Sequence, residues 1–192
     1  CLTREELDFG AEIILGLDYN SRRVFREMCE MEGIDFSKCR EAWSSLLSLG
    51  LSYEQVLCFE SWSALRDIGI DQAIAALPEI KSLTYEAGKS FRLYTVLPGI
   101  SPILALKTIP LLNRLDDAQN RAVQGLLAVR GITAKDALNG IGVIARLDDY
   151  QARAAEAFAR VPDMTVAMLG DALPLVRQLD QENAWNAGTL LQ

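Results

Sequence analysis

Apolar positions recur along this chain with a fixed period. Leu51, Leu83, Leu115, Leu147 and Leu179 are each separated by 32 residues, and Leu17 stands 34 before Leu51. Directly after each leucine comes Asp18, Ser52, Thr84, Asp116, Asp148 or Asp180. These residue types offer a side-chain oxygen to an orphan amide of a first helical turn. Gln55, Gln119 and Gln151, three residues further on, complete capping boxes, and the leucine at N′ is placed for a hydrophobic staple. Each unit is therefore predicted to open with a helix, A, of about 14 residues.

A second recurring turn ends helix A: Gly33-Ile34-Asp35, Asp67-Ile68-Gly69, Gly99-Ile100-Ser101, Gly131-Ile132-Thr133 and Asp163-Met164-Thr165. Glycine suits the left-handed C′ position, and Asp, Ser or Thr two places later caps a second helix, B. Helix B carries Ala105-Leu106, Ile109 and Leu112 in one unit and Ala137-Leu138, Ile141 and Ile144 in the next. That spacing marks one buried helical face. The six prolines fall on three columns: Pro78, Pro110 and Pro174 within B, Pro98 and Pro162 at the end of A, and Pro102 at N1 of a helix B. Proline inside a helix removes a hydrogen bond, so B is expected to kink or end near the first three.

The units run 17–50, 51–82, 83–114, 115–146 and 147–178, with a partial unit at 179–192. A half-unit at 1–16 precedes them. There Cys1-Leu2-Thr3 aligns with Gly131-Ile132-Thr133, Thr3 and Glu6 form a capping box, and Leu7, Ala11 and Ile14 take the apolar columns of B. The expectation is an all-α chain forming a single domain over residues 1–192. Its architecture is expected to be a right-handed superhelical α-solenoid of stacked A/B hairpins. Because both ends fall inside a repeat, the chain reads as a section of a longer array.

Composition narrows the chemistry. There are 26 acidic and 19 basic side chains, a net charge of −7 and no histidine, so the commonest general base and metal ligand are missing. Asp116-Asp117 and Asp148-Asp149 resemble catalytic carboxylate pairs, but their column makes them N-cap and N1 residues that favour the helix dipole. Gly140-Ile141-Gly142 falls within helix B with no preceding strand, which does not suit a phosphate loop. No catalytic residue, cofactor or metal is expected within these residues. The sequence has no run of 18 uninterrupted apolar residues, hence no expected membrane span. It reads as a soluble protein, cytoplasmic by default. If Cys1 is a processed, lipid-modified N-terminus, the alternative is an exported bacterial lipoprotein.

Of the four cysteines, Cys29 and Cys39 stand five residues before and after Ile34, the middle of an A–B turn. Antiparallel helices bring such positions side by side, so this pair is a possible disulfide in an oxidising compartment and a pair of packed thiols in a reducing one. Trp43 and Trp62 occupy apolar columns and are expected in the core.

Two surface columns are candidates for binding a partner. Tyr19, Tyr53 and Tyr85 share one position in the first turn of helix A, where they either grip a peptide or pack over neighbouring turns. Arg23, Lys89, Arg121 and Arg153 share another, with Leu57 and Trp185 in the two remaining units. Such a cationic file could hold an acidic peptide or a nucleic-acid backbone, or be a solvated face of local ion pairs such as Glu86–Lys89.

The opening Leu115 to Ala122, Leu-x-x-x-Gln-x-x-Ala, followed by Ala137-Leu138, resembles the rhythm of TAL-effector DNA-binding repeats. The recurrent proline and Gly-Ile turn resemble mitochondrial transcription-termination-factor repeats. Both resemblances imply nucleic-acid binding along a superhelix. Against them stand a predicted helix A longer than a TAL repeat allows, no variable base-reading dipeptide at the turn, and a net charge of the wrong sign. The function expected first is a non-enzymatic helical-repeat scaffold that binds a protein or peptide along one surface. The alternatives are a nucleic-acid-binding repeat using the cationic file, and a helical module of a larger, catalytic or lipid-anchored protein.

Overall fold

The computed structural model describes residues 9–11 and 15–191. Cys1, Leu2, Thr3, Glu6, Leu7 and Ile14 lie outside the described residues, and with them the proposed first capping box. Eleven helices are complete: α1 (Tyr19–Met28), α2 (Phe36–Leu47), α3 (Tyr53–Ser63), α4 (Ile70–Lys81), α5 (Tyr85–Thr95), α6 (Pro102–Leu112), α7 (Asp117–Ala128), α8 (Ala134–Ile144), α9 (Asp149–Ala159), α10 (Val166–Val176) and α11 (Gln181–Leu190). Odd-numbered helices are the A elements and even-numbered ones the B elements. Among the described residues there is no strand, only an isolated parallel bridge between Glu32 and Gly69. The chain is an all-α helical repeat.

Every predicted A cap is present. Asp18, Ser52, Thr84, Asp116, Asp148 and Asp180 each accept the amide three residues on, and the boxes with Gln55, Gln119 and Gln151 are closed. Each such cap stabilises its helix by about 1 kcal/mol. The leucines before them, from Leu17 to Leu147, are buried. Asp35, Ser101, Thr133 and Thr165 cap helices B in the same way. Gly69 has no side chain to act as a cap, and the amide of the next residue, Ile70, instead donates to the Glu32 carbonyl at 3.1 Å.

Three expectations about the elements are corrected or refined. First, helix A is 10 to 12 residues long, not about 14. Its last residues leave the helix to form a separate four-residue turn, as in Leu97-Pro98-Gly99-Ile100, where the Ile100 amide points back to the Leu97 carbonyl at 3.4 Å. The third turn residue is left-handed: Gly33, Gly99 and Gly131 at φ of 81° to 82°, Asp67 at 64° and Asp163 at 61°. Pro98 and Pro162 supply the fixed φ of the second position, the type II signature. Second, helix B ends near its proline, as expected, but is not broken at it: α4 ends three residues after Pro78, and α6 and α10 end two after Pro110 and Pro174. All three prolines face solvent, where the carbonyl that lost its amide partner can be hydrated. Third, Phe9 rather than Ala11 is buried in the first half-unit. Its ring meets Phe36 and Trp43 edge-on at 5.4 and 5.5 Å, while Ala11 is exposed. An aromatic ring has far more apolar area to bury than a methyl group.

The chain forms two compact units, Cys1–Leu83 and Thr84–Gln192, divided between an opening leucine and the N-cap that follows it. In the first, the hairpins α1/α2 and α3/α4 stack A on A and B on B. Its core includes Val24, Met28, Leu46, Phe59, Trp62 and Leu77, while Trp43 is only half-buried. In the second, the most extensive contacts run down the A column through α5, α7, α9 and α11. Small residues permit that closeness: Ala118, Ala122, Ala152, Ala155 and Ala184 are buried. A Cβ at Gly125 would stand 3.1 Å from that of Ala159. Ala105, Ile109 and Leu112, with Ala137, Ile141 and Ile144, form the buried B stripe, and Leu106 and Leu138 lie half-exposed at its edge.

Candidate functional site

The capping geometry of helix A decides where the tyrosine column sits. Because Asp18, Ser52 and Thr84 are N-caps, Tyr19, Tyr53 and Tyr85 are N1 residues, whose side chains project from the helix end rather than into the stack. They are 74%, 58% and 63% exposed. Tyr19 and Tyr53 belong to the first unit and Tyr85 to the second.

Every member of the cationic column is held by a carboxylate. Arg23 reaches across from α1 to Glu60 of α3 with Nε and Nη2 bonds of 2.7 to 3.0 Å, and its guanidinium lies 5.4 Å from the ring centre of Tyr53. The Glu60 bonds, with a smaller contribution from Tyr53, push the Arg23 pKa further up. Lys89 binds Glu86 at 3.1 Å and lies 4.1 Å from the ring centre of Tyr85. Burial works to raise the Glu86 pKa. Bonds from Gln124 and Lys89, with the charges of Lys89 and Arg121, outweigh it and leave that carboxyl below its ordinary range. Arg121 faces Glu156 of α9 at 3.6 Å, a carboxylate shared with Arg160 at 2.6 Å, and Arg153 pairs with Asp149 at 3.1 Å.

Neither the sequence nor the fold matches any protein-family model, characterised protein or solved structure with which it was compared.

The hairpin register predicted from Cys29 and Cys39 brings the two thiols together. Both are free thiols, and partial burial, reinforced by the neighbouring Cys39, pushes the Cys29 pKa up to about 11. Asp117 and Asp149 occupy N1 of their helices, as their column implied. No group of three or more Cys, Asp or Glu side chains among the described residues is arranged to hold a metal ion.

Two features escape a reading by columns. The capping-box glutamines also bind the end of their own repeat or the leucine that opens the next. Nε2 of Gln55 donates to the carbonyls of Lys81 and Leu83 at 2.6 and 3.0 Å. Gln119 reaches Leu147 at 2.7 Å, and Gln151 reaches Arg177 and Leu179 at 3.0 and 2.9 Å. One side chain thus caps its own helix and ties it to the start of the next unit. The second feature is an aromatic corner on α9 and α11, where Tyr150 and Trp185 meet edge to face with ring centres 6.2 Å apart. Trp185 is 52% exposed, and a cavity of about 480 Å³ opens beside it on Gln181 and Glu182. Its sequence signal was an aromatic residue in a column otherwise largely held by cations.

Proposed function

We propose that this chain is a non-enzymatic helical-repeat scaffold that binds a protein or peptide on the N-terminal turns of the A helices within each of its compact units. The observation that carries the reading is the exposure of Tyr19, Tyr53 and Tyr85. Tyrosine presents a large amphipathic surface at low conformational cost, and exposed rings at a recurring position offer a peptide the same foothold in successive repeats. The cations beside them support a protein partner over a nucleic acid. A phosphate backbone would have to displace a carboxylate at each of Arg23, Lys89, Arg121 and Arg153, against a net charge of −7.

The test is selection of peptides from a displayed random library on the intact chain, followed by affinity measurement on variants. Replacing Tyr19, Tyr53 and Tyr85 together by alanine should weaken a selected peptide by at least about tenfold, the loss of one hot spot's worth of contact. Replacing Arg121 and Arg153 by glutamate should change it little. Unaltered affinity in the tyrosine variant, or tight salt-dependent retention of a mixed nucleic-acid pool, would overturn the reading.

A further inference from the structure

The aromatic corner at Tyr150 and Trp185 lacks something that the other repeats have. The position five residues after the N-cap of helix A carries a cation in α1, α5, α7 and α9. Two of these cations lie over a tyrosine face: Arg23 over Tyr53 and Lys89 over Tyr85. In α11 the same position is Trp185, and no cation among the described residues lies over its ring or that of Tyr150. Two π-faces inclined at 70° are therefore left without the kind of guest that this surface elsewhere supplies from its own side chains.

Charge selects the sign of that guest. The corner lies at the N-terminal ends of α9 and α11, and two helix dipoles contribute about half a positive charge each. Against them stand the caps Asp148 and Asp180, with Asp149 and Glu182 in the first turns. Arg153 neutralises Asp149 at 3.1 Å, while Glu182, which lines the cavity, makes no ion pair with a described residue. The balance is negative, and one amide of each first turn, that of Gln151 and that of Asn183, is engaged by its cap.

We propose that this corner binds the ammonium group of a methylated lysine side chain on the partner peptide. Methylation makes the cation large and weakly hydrated, so little desolvation cost opposes its contact with the two inclined aromatic faces, and Glu182 supplies the counter-charge. The inference rests on the peptide-binding reading and adds one specific side chain to it.

The test uses the whole chain with labelled indole nitrogens, titrated by nuclear magnetic resonance with N-acetyl trimethyllysine methylamide. The comparison ligand is its uncharged analogue, with carbon in place of the quaternary nitrogen. The Trp185 indole signal should shift saturably with the cation. The neutral analogue should bind about two- to fivefold more weakly, the increment expected of a cation–π contact at an exposed site. Tyr150→Ala, which removes the ring facing Trp185, should weaken the cation's saturable shift of the Trp185 signal by about two- to fivefold. Glu182→Gln, a change at an exposed side chain that leaves the fold intact, should weaken the cation and not the neutral analogue. Equal affinity for the two ligands, or a silent indole, would overturn the proposal, as would tighter binding of phosphocholine than of trimethyllysine. A silent indole in a chain that still binds its library-selected peptides would remove this corner and leave the peptide-binding reading standing.

Discussion

At the scale of single residues, Asn120 shows how the stack accommodates polarity. It is 1% exposed in α7, and its Nδ2 points at the carbonyls of Leu112, Leu115 and Asp116 at 3.2 to 3.3 Å, while Ser90 of α5 donates toward its Oδ1 at 3.0 Å. Asn120→Leu removes the side-chain partner of the Leu115 carbonyl, while the Leu112 and Asp116 carbonyls keep backbone amides and Ser90 keeps backbone carbonyls, and should cost about 1–3 kcal/mol in a denaturant titration. A change below about 0.5 kcal/mol would mean that the network adds nothing net. Cys29 offers a second residue-level test. A thiol whose pKa is raised to about 11 stays protonated in the folded chain through the range where an ordinary thiol ionises, near 8.5. It therefore contributes stability below that range, lost as pH rises toward 11. Iodoacetamide should alkylate Cys29 in the native chain only slowly at pH 8.5, with the rate climbing toward pH 11, whereas in denaturant the rate should follow the ordinary thiol. Native alkylation with a midpoint near 8.5 would contradict the partly buried placement of Cys29 beside Cys39. Neither Asn120 nor the second bond of each glutamine was legible in the sequence. An amide side chain on a helix does not declare which distant carbonyl it will meet.

At the scale of elements, local chemistry set most of the outcome. Caps were legible because an Asp, Ser or Thr before a helix satisfies an amide only three residues away, with no help from the rest of the fold. Helix A was read too long because leucine or valine at 65, 97, 129 and 161 continues an apolar stripe equally well as a last helical turn or as the first residue of a separate turn. The left-handed residue two places later decides in favour of the turn. Helix B continues for two or three residues beyond its proline, since an exposed carbonyl in the last turn loses little when water replaces its partner. The shorter A helix narrows, without closing, the gap in length to the TAL-like rhythm. The missing variable dipeptide and the net charge still separate the two. The close approach of α7 and α9 yields the element-scale prediction. Gly125→Val must push β-branched bulk against Ala159 and the Glu156 backbone, and should destabilise the chain by about 1–3 kcal/mol. Gly142→Ala, where a Cβ meets nothing within 4 Å, should be neutral or slightly stabilising by thermal melting. Equal effects of the two would show that α7 and α9 are not packed at glycine distance.

At the scale of the molecule, periodicity carried the reading. A 32-residue repeat of caps and apolar columns leaves stacked hairpins as the arrangement that buries every stripe, and both compact units are built that way. The site was legible only in part. The exposure of the three tyrosines followed from their N1 position, whereas the fate of the cationic file depended on carboxylates such as Glu60 and Glu156 that lie 37 and 35 positions further along the chain. The central claim is that partners bind on the N-terminal turns of the A helices. Hydrogen exchange on the intact chain, with and without a library-selected peptide at saturation, addresses it most directly. Added protection is expected in the first turns of α1 and α3, around Tyr19 and Tyr53 of the first compact unit, or of α5, around Tyr85 of the second, with helices B unchanged. Protection confined to the proline-bearing ends of α4, α6 and α10, with those first turns unaffected, would contradict it.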